Sequence, residues 1–246
     1  MSDSLTTRTI TITGFTEAEI EAYLARPEGA GPRGGVVVIH HMPGFDRATK
    51  EITRRFAELG YDAICPNLHW RDAPGAAPDD AAAAARAAGG VPDERLVGDV
   101  GGAAAYLRAL PSSNGRVGVI GYCSGGRQAV LAACHLDLDA AVDCYGAFVT
   151  GTPPEGAPMR SNLVDQLPAL HAPLLGLFGD DDSHPSPQEV AELAQILTAN
   201  GKEFDFHSYP DAGHAFFSVD RPSYRVAAAN DGWERVAAFY AAKLGS

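Results

Sequence analysis

Hydrophobic residues fall along this chain in short continuous runs, separated by stretches in which apolar positions recur at helical spacing. Gly35-Val36-Val37-Val38-Ile39-His40, Ala63-Ile64-Cys65, Val117-Gly118-Val119-Ile120, Ala140-Ala141-Val142 and Leu174-Leu175-Gly176-Leu177-Phe178 are apolar without alternation, the pattern of strands covered on both faces. Strands of that kind belong in a parallel sheet. Residues 48–60, 94–110, 126–134, 187–200 and 232–244 carry the helical period, and several of these stretches end in Gly, Pro or Asn. Strand and helix in alternation predict an α/β fold: a doubly wound, mostly parallel sheet with helices on both faces. The alternation from Thr7 to Ile12 and the run around residues 22–25 predict an opening pair of strands, half exposed at a sheet edge.

Two tracts break the rhythm. Residues 71–90, rich in Ala, Pro, Gly and Asp, and residues 151–168 read as excursions above the C-terminal edge of the sheet, where such folds bind ligands. The Ala81 to Ala85 run predicts a short helix within the first. A chain of 246 residues organised this way is expected to form a single domain.

Composition narrows the function. Hydrophobic residues at 46% and charged residues at 20% are ordinary for a packed globule and unlike a disordered chain. A formal charge of -12 would repel nucleic-acid phosphates and anionic membranes, which leaves a small molecule as the expected partner. The four cysteines show no metal-type spacing, and a chain of this size needs no disulfide staples, so reduced thiols and a cytoplasmic location are expected. No stretch supplies about 18 uninterrupted apolar residues for a membrane span, and Met1 to Thr13 lacks the basic and apolar regions of an export signal.

The chemistry concentrates after the run Val117 to Ile120. Gly121-Tyr122-Cys123-Ser124-Gly125-Gly126 follows it and a helical stretch follows that, which is the Gly-x-nucleophile-x-Gly elbow of α/β-hydrolases in its strand-turn-helix context. The flanking glycines allow a turn sharp enough to expose the central side chain at a helix start. There the positive helix end favours a thiolate, and the Ser124 amide is placed to bind an oxyanion. Cys65, Cys134 and Cys144 lie inside apolar segments and read as packing residues.

From about Val36 to Trp233 the chain resembles the dienelactone hydrolase (carboxymethylenebutenolidase) family, whose members carry cysteine in Gly-Tyr-Cys-x-Gly-Gly. The resemblance rests on Ile39 to Gly44, Gly60-Tyr61-Asp62-Ala63, Cys65-Pro66-Asn67-Leu68, Ser113-Asn114-Gly115-Arg116-Val117, the elbow, Tyr145-Gly146 and Gly213-His214. It implies a cysteine-dependent hydrolase that opens a lactone or activated ester through an acyl-enzyme, without a cofactor. The nucleophile, acid, base order makes His214 the expected base. The family pattern Gly-x-x-Asp-x-x-Pro counted from Gly179 to Pro185 gives Asp182 as the acid, while a count against more distant members gives Asp181. The resemblance also implies a second oxyanion donor, the Met42 amide, in the turn His40-His41-Met42-Pro43-Gly44.

Two departures from the family pattern stand out. His41 occupies the place of a family glutamate thought to manage the cysteine proton, so a pair between Cys123 and His41 is one expectation for the resting site. A metal site of His40, His41 and His69 is an alternative that lacks an acidic or cysteine partner, and no metal is expected. Arg71 aligns with an arginine that binds a substrate carboxylate, whereas the second such arginine falls at Ser218, with Arg221 and Arg225 nearby. Trp70, Tyr145, Phe148, Phe216 and Phe217 are candidates for an aromatic acyl pocket. Rival functions are a broad carboxylesterase, thioesterase or phosphotriester-cleaving relative with the same triad, a silent hydrolase-fold binding protein, and a thiol redox sensor. Either a monomer or a homodimer is compatible with the sequence.

Overall fold

The computed structural model describes residues 4–42, 44–157 and 161–245. Among these residues eight strands form one sheet: β1 (Leu5–Thr13), β2 (Glu19–Pro27), β3 (Arg33–Ile39), β4 (Asp62–Pro66), β5 (Ser113–Tyr122), β6 (Ala140–Cys144), β7 (Leu174–Gly179) and β8 (Phe204–Tyr209), in the order β1-β2-β4-β3-β5-β6-β7-β8. The first two strands pair antiparallel with each other and β2 pairs antiparallel with β4; every other pairing is parallel. The expected opening pair is therefore present, with β1 as the exposed edge and β2 largely buried.

Among the described residues six α-helices complete the fold: α1 (Arg47–Glu58), α2 (Pro78–Ala87), α3 (Asp93–Arg108), α4 (Ser124–His135), α5 (Pro187–Ala199) and α6 (Val226–Leu244). Successive residues of a strand point to opposite faces, and the core divides accordingly. Val37, Ile39, Val117 and Val119 face a cluster with Leu96 and Val100 of α3, Val130 of α4 and Leu193 of α5. Their neighbours Val36, Val38, Ile120 and Tyr122 face a second cluster with Phe56 of α1 and Trp233, Val236 and Tyr240 of α6. Helices thus cover both faces, which is why the central strands read as unbroken apolar runs. α6 starts at Val226, before the first strongly periodic position at 232, and is fastened across the sheet by a 2.8 Å bond from the Tyr240 hydroxyl to the Val119 carbonyl.

Because the central strands are parallel, their C-terminal ends share one edge. The turn after β3 (His40 to Met42), the elbow after β5, Tyr145 after β6, Asp180 to Asp182 after β7 and Asp211 to His214 after β8 all emerge there. Pro43 lies outside the described residues. No helix among the described residues is long and apolar enough to cross a membrane.

Candidate active site

Cys123 stands between β5 and α4 with φ at +56° and ψ at -123°, a region that a side chain other than glycine enters only under strong local constraint. Its N–H donates to the Cys144 carbonyl (3.0 Å) and its carbonyl accepts from the Gly126 N–H (2.9 Å), so the strained residue is held from both sides. The glycines of the motif are required by contact. A Cβ on Gly121 would lie 1.8 Å from the Gly125 carbonyl oxygen, and one on Gly125 would lie 2.6 Å from the Ile39 carbonyl oxygen. The elbow is therefore folded onto itself and pressed against the end of β3.

His214 and Asp182 come together from different loops. The imidazole Nδ1 is 2.8 Å from Asp182 Oδ2, while Asp182 Oδ1 accepts the His184 N–H at 2.9 Å. Asp182 is buried; Asp180 and Asp181 are exposed, and the Asp181 N–H donates to the Ala212 carbonyl. Burial alone would lower the His214 pKa, but hydrogen bonds to Asp182 and Cys123, together with their charge, outweigh it and raise it to about 10. With Nδ1 on Asp182, Nε2 is the nitrogen left for the sulfur.

Ser124 begins α4, so its N–H has no intrahelical acceptor. Among the described residues no backbone acceptor is bonded to the Met42 N–H either. Both residues line a cavity of about 40 Å³ with His40, His41, His69, Arg127 and Gln128. A larger cleft of about 160 Å³ lies on the other side of His41, walled by Tyr122, Tyr145, Phe217 and Trp233 and by Ala48, Ile52 and Arg55 of α1. Tyr145 links that cleft to His214, the two ring centres being 5.2 Å apart.

Other expected residues are placed differently. His41 Nε2 is 3.0 Å from Asp46 Oδ2, and Asp46 is the N-cap of α1, accepting the Thr49 N–H at 2.8 Å. Burial would raise the Asp46 carboxyl, but the bonds from His41 and Thr49 prevail and hold it down at about 2. His41 therefore borders both cavities but gives its Nε2 to Asp46, and the imidazole whose pKa Cys123 helps to raise is that of His214. His40 is a packing residue: Nδ1 donates to the His41 carbonyl, Nε2 accepts the Leu68 N–H, and burial lowers its pKa to about 3. Among the described residues no group of His, Cys, Asp or Glu is arranged to hold a metal.

Arg71 makes an internal tie: its guanidinium donates to Asp99 Oδ2 (2.6 Å) and to the Phe15 carbonyl (3.1 Å), joining the segment after β4, the segment after β1 and α3. Trp70 packs against the first core cluster, and Phe216 is fully buried against Tyr145, Tyr209 and Phe217; neither lines the two cavities. Phe148 stacks on His184, and Arg225 donates to the Asp211 carbonyl.

The sequence reading missed Arg127 and Gln128, although Ser124, Arg127 and Gln128 stand at i, i+3 and i+4 and so share the face of α4 that lines the smaller cavity. It also missed Asp143 of β6, fully buried beside the elbow, whose Oδ1 accepts the Gly146 N–H at 2.7 Å and whose pKa burial pushes up to about 7.

The family model described as the dienelactone hydrolase family matches residues 20–244. A relative from Escherichia coli strain K12 named "Putative carboxymethylenebutenolidase" is 35% identical over 236 residues, spanning 92% of this chain and 85% of the relative. One of the same name from Methylorubrum extorquens is 34% identical over 220 residues, spanning 88% and 75%. A crystal structure titled as a "Putative Dienelactone Hydrolase" from Klebsiella pneumoniae superposes with a TM-score of 0.85 at 30% identity, covering 97% of this chain and 99% of that one. The chain belongs to the dienelactone hydrolase family of carboxylic ester hydrolases.

Proposed function

We propose that the chain hydrolyses a lactone or activated ester by a thiolate mechanism, with Cys123 as nucleophile, His214 as base and Asp182 as the acid that orients it. The observation that carries this reading is the strained Cys123 at the elbow on the same sheet edge as an imidazole whose Nδ1 is 2.8 Å from a buried carboxylate.

The Cys123 thiolate adds to the substrate carbonyl carbon, and the carbonyl π pair moves to oxygen, where the Ser124 and Met42 amides receive it. Collapse expels the alkoxide or enolate, which takes the His214 proton, and a thioester remains. Forming that thioester removes the thiolate and its hydrogen bond, two of the causes that raise the His214 pKa. Having given its proton to the leaving group, the imidazole is neutral and can serve as a general base. It takes a proton from water as hydroxide adds to the thioester, and the thiolate leaves with the acid released. In a lactone the expelled oxygen stays on the acyl chain. Good leaving groups suit thiolate chemistry, which favours enol-lactones and aryl esters over amides.

Cys123→Ala is expected to lower hydrolysis of a chromogenic acetate ester by at least about a thousandfold. Undiminished turnover overturns the assignment, and Cys123→Ser tests whether a thiolate is required. A broader esterase is favoured over an enzyme specific for anionic lactones by one observation: Arg71 is consumed by Asp99. Neutral aryl esters and lactones are therefore expected to react at least as well as anionic enol-lactones. An anion preference that disappears in Arg71→Ala would reverse that reading.

A further inference from the structure

The larger cleft has two unlike walls. On one side Phe217 and Trp233 meet edge to face with ring centres 5.9 Å apart, and Phe217 continues to Tyr122 at 5.6 Å. On the other side stand Ala48 and Ile52, one turn apart on α1 and half-buried. The aromatic wall is fixed in place. A Cβ on Gly232 would collide with Phe217 Cζ, so the Phe217 ring lies directly on the α6 backbone, and the Arg55 guanidinium lies 4.0 Å over the Trp233 ring. Phe217 and Trp233 remain 7% and 9% exposed, and both line the cleft.

The space between these walls is about 160 Å³. An engineered apolar cavity of about 150 Å³ takes up benzene, so one six-membered aromatic ring is the unit that fits. Such a ring gains from edge-to-face contact with other rings beyond the area it buries. Glu51 and Asp220 line the cleft together with Arg55, which leaves it without an excess of positive charge to draw an anion. A neutral ring suits it better than a carboxylate.

The part of an ester that carries the ring follows from the mechanism proposed above. The oxyanion turns to the Ser124 and Met42 amides at the smaller cavity, and the leaving oxygen turns to His214 for its proton. Tyr145 lines the larger cleft with its ring centre 5.2 Å from that of the His214 imidazole, and His41 borders both cavities. The oxyanion and the alcohol part are thus directed to opposite sides of His41. We infer that the cleft between α1 and the pair Phe217 and Trp233 is the subsite for the alcohol part of the substrate and takes a single uncharged aromatic ring there, which makes the enzyme selective for esters of phenols. The inference rests on the triad reading of Cys123, His214 and Asp182.

The test separates fit from leaving-group ability by comparing phenyl acetate with a fluoroalkyl acetate whose alcohol is as acidic as phenol. Wild type is expected to favour the phenyl ester by at least about tenfold in kcat/KM. Ala48→Leu, which sets a branched side chain between the walls, should bring that ratio to near one. A wild-type ratio near one, or a ratio untouched by Ala48→Leu, overturns the proposal. The fluoroalkyl ester of phenylacetic acid locates the ring: a rate close to that of the fluoroalkyl acetate is expected, and a rate about tenfold higher would put the ring on the acyl side and overturn the proposal. Fluorine NMR of para-fluorophenol reads the subsite without turnover. Its line is expected to broaden with wild type and much less with Ala48→Leu; an unbroadened line with wild type overturns the proposal. Broadening by wild type together with ester hydrolysis that acylates no cysteine would refute the mechanism and keep the subsite.

Discussion

At the scale of single residues, two titrating groups near the elbow pull in the same direction with pH. His214 rises from 6.5 to about 10 in the fold, so its stabilisation is fully present below about pH 6.5 and fades as pH climbs through about 10. Asp143 rises from 3.8 to about 7 because burial penalises its charge; the fold favours its neutral acid, and that stabilisation fades as pH climbs from about 4 through about 7. Asp143→Asn is neutral at every pH and keeps an acceptor for the Gly146 N–H. It should be more stable than wild type above pH 7, with the advantage shrinking towards pH 5, as read by urea unfolding at both values. A pH-independent difference would count against a buried ionising carboxylate. The same geometry separates the two histidines near Cys123. On the proposed mechanism, His214→Gln should slow alkylation of Cys123 at neutral pH by about tenfold or more, because it removes the proposed base. His41→Ala, whose Nε2 bond is to Asp46, should leave the pH profile of alkylation unchanged. A profile that moves with His41 would bring back a resting pair between Cys123 and His41.

At the scale of elements, the elbow works because β5, α4 and the end of β3 meet with no room for an added carbon. Gly125→Ala drives a Cβ into the Ile39 and His40 carbonyl oxygens at 2.6 and 3.0 Å, and so pushes α4 away from the turn that carries Met42. The expected cost is about 1–3 kcal/mol of stability, seen as a lower unfolding midpoint, together with a fall in ester turnover larger than that loss of fold explains. Unaltered turnover would mean that the Ser124 and Met42 amides need not stay in register. Elements were legible in the sequence where one residue type dominates a run: β3, β5, β7 and the helices α1, α3, α4 and α5 appear within a few residues of their expected bounds. The start of α6 was not, since Val226 to Asp231 carry Ala, Asn and Asp that show no strong apolar period, and the helix there depends on Ala228 and Ala229 packing beneath the sheet.

At the scale of the whole molecule, the legible part of the site was the part encoded locally. A cysteine between glycines, a histidine after Gly213 and an aspartate three residues past Gly179 are each set by a turn, and the parallel sheet brings those turns to one edge. What could not be read were choices made across long sequence separations. Arg71 aligns with a substrate-binding arginine, yet Asp99, 28 residues away, claims it; Phe216 and Phe217 are adjacent, yet one enters the core and the other the cleft. The polar void at Arg127 was hidden for the same reason, because its walls come from the segments after β3 and β4, the N-terminal end of α3 and the first turns of α4. The central claim is that Cys123 carries the acyl group, and it is tested most directly by mass analysis of enzyme quenched during turnover of a chromogenic acetate ester. The mechanism predicts one acetyl group on the peptide containing Cys123, formed at the rate of the initial burst and absent from Cys123→Ala; an acetyl group on Ser124, or turnover with no acyl-enzyme in either protein, would contradict it.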